Sequence, residues 1–111
     1  MERPEASIAI QALPRMGGGA NNGGKNGGEK GTLRVIDTVI AYIKERGLRC
    51  FVGPFETVIE GSADALWDIA RECQKICVRE GAKSVSLYMK FEYNPTEGTL
   101  SIEEKTSKYH A

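Results

Sequence analysis

Polar and apolar residues alternate from Ala6 to Leu13. Ile8, Ile10 and Ala12 fall on one side, and Ser7, Ala9 and Gln11 on the other. This period of two predicts a strand with one buried face, ended by Pro14. From Thr32 to about Arg46 the period changes. Val35, Ile36, Val39, Ile40 and Ile43 form the apolar stripe of a helix, capped by Thr32 and closed by Gly47. Leu48 to Val52 reads as a second strand and Phe55 to Glu60 as a third, with Gly53-Pro54 as the bend between them. Ser62 is a good N-cap, with Asp64 in the first turn where the helix dipole favours an acid. The helix it opens runs to about Glu80, with Leu66, Ile69, Ala70, Cys73, Ile76 and Cys77 on one face, and Gly81 closes it. A fourth strand follows from Ser84 to Tyr93. Val85, Leu87, Met89, Phe91 and Tyr93 point one way, and Ser86, Tyr88, Lys90 and Glu92 the other. Ser101 to Lys108 predicts a short C-terminal helix.

The element order is βαββαβ. Two helical crossovers around a central hairpin predict an α+β, ferredoxin-like sandwich. Its four-stranded antiparallel sheet would carry two helices on one face. The other face, bearing Gln11, Tyr88 and Lys90, must meet water, a ligand or another subunit. The alternation does not decide which face Val58 takes, because Val58 and Ile59 are both apolar.

Residues 1–5 read as a tail and 6–109 as the domain. Gly17 to Gly31 is almost wholly Gly, Asn and Lys, and is expected to be a flexible loop insertion. Its segment Gly19 to Asn26 nearly matches a phosphate-binding loop. Asn26 stands where that motif needs Ser or Thr for magnesium, and no helix starts at the lysine.

The chain has 111 residues, and its 15 basic and 15 acidic side chains cancel. One small domain fits this length, with oligomerisation as a source of further stability. A balanced charge lacks the basic footprint of nucleic-acid or anionic-membrane binding. No apolar run approaches the roughly 20 residues of a membrane span. Met1 to Glu5 has no apolar core, so no signal peptide is expected. The three cysteines have no framework spacing, and reduced thiols in a cytoplasmic protein account for them most simply.

Catalytic groups are sparse. The single histidine, His110, stands beside the C-terminus, which argues against nucleophile–histidine chemistry. Cys73 and Cys77 share a helix face without further metal ligands nearby, and read as core packing. Glu56 and Glu60, four apart on an extended strand, would be about 13 Å apart. That is too far for paired-carboxylate glycoside chemistry, and leaves them as solvated strand-end acids or ligand contacts. Gln11 and Tyr88 offer an amide and an aromatic ring, which suit a planar polar heterocycle or a subunit interface. No catalytic or metal-binding residue is expected, and no cofactor.

The segment Thr57-Val58-Ile59-Glu60-Gly61, within Gly53 to Gly61, makes the chain resemble the small thiamine-binding protein family. Ser7 to Pro14, the helix 62–80 and Val85 to Lys90 extend the similarity across about 6–109. The resemblance implies a ferredoxin-like subunit assembled as a dimer or tetramer. It further implies non-catalytic binding of thiamine (vitamin B1) or its hydroxymethylpyrimidine part. The Gly/Asn insertion departs from the family, whose members have a short turn there. Under this resemblance the ligand residues are Gln11, Glu56, Thr57, Glu60, Tyr88 and Lys90. A carboxylate or an aromatic face would meet the thiazolium cation. Gln11, Thr57 and strand backbone would meet the aminopyrimidine. Lys90 would oppose a bare cation and suit a phosphorylated form.

Two other classes compete. A small enzyme acting on an acyl phosphate would want an arginine in an anion-binding loop after the first strand, where Arg15 is the only candidate. A structural or regulatory oligomer would use the open face only to pair with itself. An RNA-binding sheet would need paired aromatics that are missing here.

Overall fold

The computed structural model describes residues 2–17 and 28–109. In chain order it holds β1 (Ala6–Met16), α1 (Gly28–Glu45), β2 (Cys50–Val52) and β3 (Thr57–Gly61). Then come α2 (Ala63–Arg79), β4 (Ala82–Tyr93) and α3 (Ile102–Thr106), with a final 3-10 turn at Ser107–Tyr109. The strands form one antiparallel sheet in the order β2-β3-β1-β4. This is the ferredoxin-like arrangement that the periodicity predicts.

The core lies between the sheet and the α1–α2 layer. Ile8, Ile10 and Ile59 face Val35, Val39 and Ile43 of α1 and Leu66, Ile69, Cys73 and Ile76 of α2. The alternation in β1 and β4 sends Ile8 and Phe91 to the same side, since they are partners in register. Phe91 then stacks on Trp67 of α2, ring centroids 4.4 Å apart and nearly parallel. The Ser62 hydroxyl accepts the Ala65 amide at the start of α2, and a Glu5 carboxylate oxygen accepts that of Ala63. After α2, Gly81 turns the chain at a φ of +112°, a conformation that side chains disfavour.

Several boundaries differ from the expected ones. β1 does not stop at Pro14 but continues to Met16. β3 accompanies β1 only as far as the Ile10–Thr57 pair, so beyond it β1 has, among the described residues, a strand neighbour on one side only. Proline is tolerated at such an edge, where its missing N–H breaks no ladder. α1 begins at Gly28 rather than Thr32, and the Thr32 hydroxyl donates back to the Gly28 carbonyl instead of capping. The Gly/Asn tract therefore includes the first turn of a helix; its residues 18–27 lie outside the described residues, as does the near-match to a phosphate loop. Phe55 and Glu56 precede β3 and belong to the turn.

The open face is not left wholly uncovered. Ser101 caps α3 in a reciprocal pair with Glu104, an arrangement that satisfies two free amides. The Glu60 carboxylate accepts the Ile102 amide, Lys105 reaches Glu92 at 3.0 Å, and Arg49 pairs with Glu103. Glu60 and Glu92 both flank Ser7 in register, so α3 lies across that end of the sheet. Val58 takes the open face, opposite Ala9, while Ile59 is fully buried.

Candidate functional site

The late start of β3 creates the site. Where β1 runs on past Ile10, the turn Gly53 to Glu56 stands beside it in place of a strand. A cavity of about 150 Å³ opens there, between β1, this turn and α1. Ile36 and Ile40 of α1 and Cys73 of α2 give it apolar walls. Gln11, Glu56 and Thr57 supply its polar groups. Sequence reasoning counted Ile36 and Ile40 in the core stripe. They are only half-buried, whereas Val35, Val39 and Ile43 are buried. The signal was available: the stripe on α1 is wider than one sheet contact requires.

The turn is held closely. The Gly53 amide donates to the Glu56 carbonyl at 2.9 Å. A Cβ on residue 53 would stand 3.0 Å from that same oxygen, so only glycine fits without a shift. Phe55, at the tip, is 77% exposed despite lining the cavity.

Across the open face lies a shallower groove of about 460 Å³, lined by Ser7, Ala9, Val58, Lys90 and Lys105. Glu56 borders both recesses. Its carboxylate meets Lys90 Nζ at 3.3 Å, reaching across from the turn to β4.

The six expected ligand residues are thus divided. Gln11, Glu56 and Thr57 converge on the cavity. Lys90 is joined to them through Glu56, and Tyr88 stands opposite Gln11 in register on the open face, 57% exposed. Glu60 is apart from them. It is 8% exposed and holds the amide of α3. That role was invisible in the sequence, because it depends on a helix more than forty residues away folding back.

Cys73 bears on what the cavity can do. Burial pushes its thiol up to about 12, with Cys77 adding to the effect. A thiol held neutral is an apolar wall, not a nucleophile. Among the described residues no group of three or more His, Cys, Asp or Glu side chains is placed to hold a metal ion. No helix among them is long and apolar enough to cross a membrane. His110 lies outside the described residues.

The cavity therefore combines apolar walls with an amide, a hydroxyl and a carboxylate among its lining residues. Comparison with known proteins shows the family. The profile of the thiamine-binding protein family matches residues 25–110. The chain belongs to that family. A UPF0045 protein from Clostridium perfringens is 41% identical over 75 residues, which is 68% of this chain and 77% of that protein. A Bacillus cereus structure of a domain of unknown function, DUF77, superposes with a TM-score of 0.77 at 30% identity. That match covers 94% of this chain and 88% of the other. A Thermotoga maritima structure, of a protein with a suggested role in thiamine biosynthesis or salvage, gives a TM-score of 0.75 at 26% identity. It covers 96% of this chain and 99% of its own.

Proposed function

We propose that this protein binds thiamine, or its hydroxymethylpyrimidine part, without transforming it. The observation that carries the reading is that Gln11, Thr57 and Glu56 all line the same apolar cavity. The aminopyrimidine enters between the α1 wall and the turn. The Gln11 amide and the Thr57 hydroxyl offer both donors and acceptors to its ring nitrogens and amino group. Glu56 faces the thiazolium, a permanent cation that no proton transfer can neutralise. Phe55 covers the ring plane. Tyr88 and Lys90 border the ligand from the open face, and Glu60 stands apart from it, holding α3.

The non-catalytic part of the reading rests on the neutral thiol of Cys73. It rests as well on Arg15, which pairs with Ser84 inside β1 instead of standing in an anion-binding loop. That placement counts against an acyl-phosphate enzyme. In this reading the protein works in the cytoplasm as a homo-oligomer. Calorimetric titration with thiamine and hydroxymethylpyrimidine tests binding. Incubation of either with the protein, followed by chromatography, tests whether the ligand is returned unchanged.

A further inference from the structure

We infer that the Glu56–Lys90 pair selects a phosphate ester of the cationic heterocycle over the free cation. The inference rests on the binding reading above and adds the charge type of the ligand.

The pair joins two recesses. Glu56 borders the apolar cavity and the open-face groove, and Lys90 borders the groove. Lys90 Nζ is 3.3 Å from Glu56 Oε1, and the lysine side chain is 78% exposed. An ion pair so exposed holds its partners weakly and separates at little cost. Groove lysine Lys105 is engaged elsewhere, at 3.0 Å from Glu92 on the next open-face position of β4. Each of the groove's lysines therefore has a carboxylate, and the groove as a whole is charge-balanced.

A bare cation entering the cavity takes the Glu56 carboxylate from Lys90. The ammonium group then stands unpaired within a few ångströms of the new positive charge. Like charges at that distance repel even in water. Lys90 thus acts as a built-in competitor against a ligand with only a positive charge. A ligand carrying a cation and a phosphate exchanges both partners at once. Its cation meets Glu56, its phosphate meets the released Lys90, and no charge is left alone. A lysine ammonium with three rotatable donors on a flexible stem suits a phosphate at the groove end of the ligand. A neutral pyrimidine disturbs neither member of the pair.

The test is calorimetric titration of the intact protein, and of Lys90→Met and Lys105→Met, with thiamine, thiamine monophosphate and hydroxymethylpyrimidine. The melting temperature serves as a check on folding. The intact protein is expected to bind the monophosphate about three- to tenfold more tightly than thiamine, with the preference shrinking as salt rises. Lys90→Met is expected to tighten thiamine, weaken the monophosphate and leave hydroxymethylpyrimidine unchanged. Lys105→Met is expected to keep the preference. If the intact protein binds thiamine and its monophosphate equally, the inference fails and the binding reading stands. The same holds if Lys90→Met changes all three ligands alike, or if the preference follows Lys105. If none of the three binds at millimolar concentration, both fail.

Discussion

The Glu60 carboxylate accepts the backbone amide of Ile102, so an acid at the end of β3 fixes the start of α3. The bond is buried, and it closes one end of the open face. Glu60→Ala leaves that amide without its partner. The expected cost is about 1.5–3 kcal/mol of stability, as for other hydrogen bonds to charged groups. Chemical denaturation measures it. The same variant is expected to keep its thiamine affinity within about twofold, because Glu60 does not line the cavity. A Glu60→Ala protein as stable as the parent would show that α3 is held by other contacts.

The Arg3 guanidinium, hydrogen-bonded to Glu104 at 2.9 Å, holds that carboxyl far below the usual range, at about 2. A depressed folded-state value contributes stability above the ordinary carboxylate range, and the contribution is lost as pH falls through that range toward 2. The α3 clasp is therefore expected to persist at pH 4 and loosen between about pH 4 and 2. Carbon-detected NMR titration of Glu104 reads this directly. Arg3→Ala is expected to return the midpoint toward the ordinary carboxylate range.

Gly53 and Glu56 approach so closely that a methyl group on residue 53 must move the turn. Gly53→Ala is expected to cost about 1 kcal/mol and lower the melting temperature by about 4–8 °C. It is also expected to weaken thiamine severalfold, since the Glu56 carboxylate moves with its backbone. Gly47→Ala provides a contrast: a Cβ there meets no neighbour among the described residues, and the positive φ of 75° opposes it, so stability alone should change.

Self-association is expected on the remaining open face. Tyr88 and Leu13 stand exposed there, and among the described residues no strand pairs with the outer edge of β4, from Ala82 to Tyr93. Long unpaired edges invite pairing. Light scattering at micromolar concentration is expected to give a multiple of the 12.1 kDa subunit. A monomer under those conditions would contradict the expectation.

The fold was legible because its signals are local. Alternation in β1 and β4, two apolar stripes and the Ser62 cap each follow from neighbouring residues. The errors fall where a distant part of the chain decides. Pro14 reads as a stop, yet the absence of β3 beyond Ile10 makes that position an edge. Gly28 to Gly31 reads as loop by composition, yet those residues open α1. Gln11, Glu56 and Thr57, expected as ligand contacts from their chemistry, line one cavity. Glu60 looked equivalent to Glu56 in the sequence. What separates them is α3, whose docking gives one acid a structural hydrogen bond and leaves the other lining a cavity. That Gly53 and Ile40 line the cavity was missed, because glycine in a bend and isoleucine on a stripe carry no chemical signature until the cavity is seen.

Titration of thiamine into the intact protein and into Glu56→Gln tests the central claim most directly. The substitution keeps the shape of the side chain and removes its charge. The account predicts saturable binding to the parent and about tenfold weaker binding to the variant, the lower end for a charge-assisted contact because Glu56 is partly exposed. It predicts no comparable loss for hydroxymethylpyrimidine, which carries no thiazolium. An absence of binding to the intact protein at millimolar concentration, or equal affinity for thiamine in parent and Glu56→Gln, would contradict it.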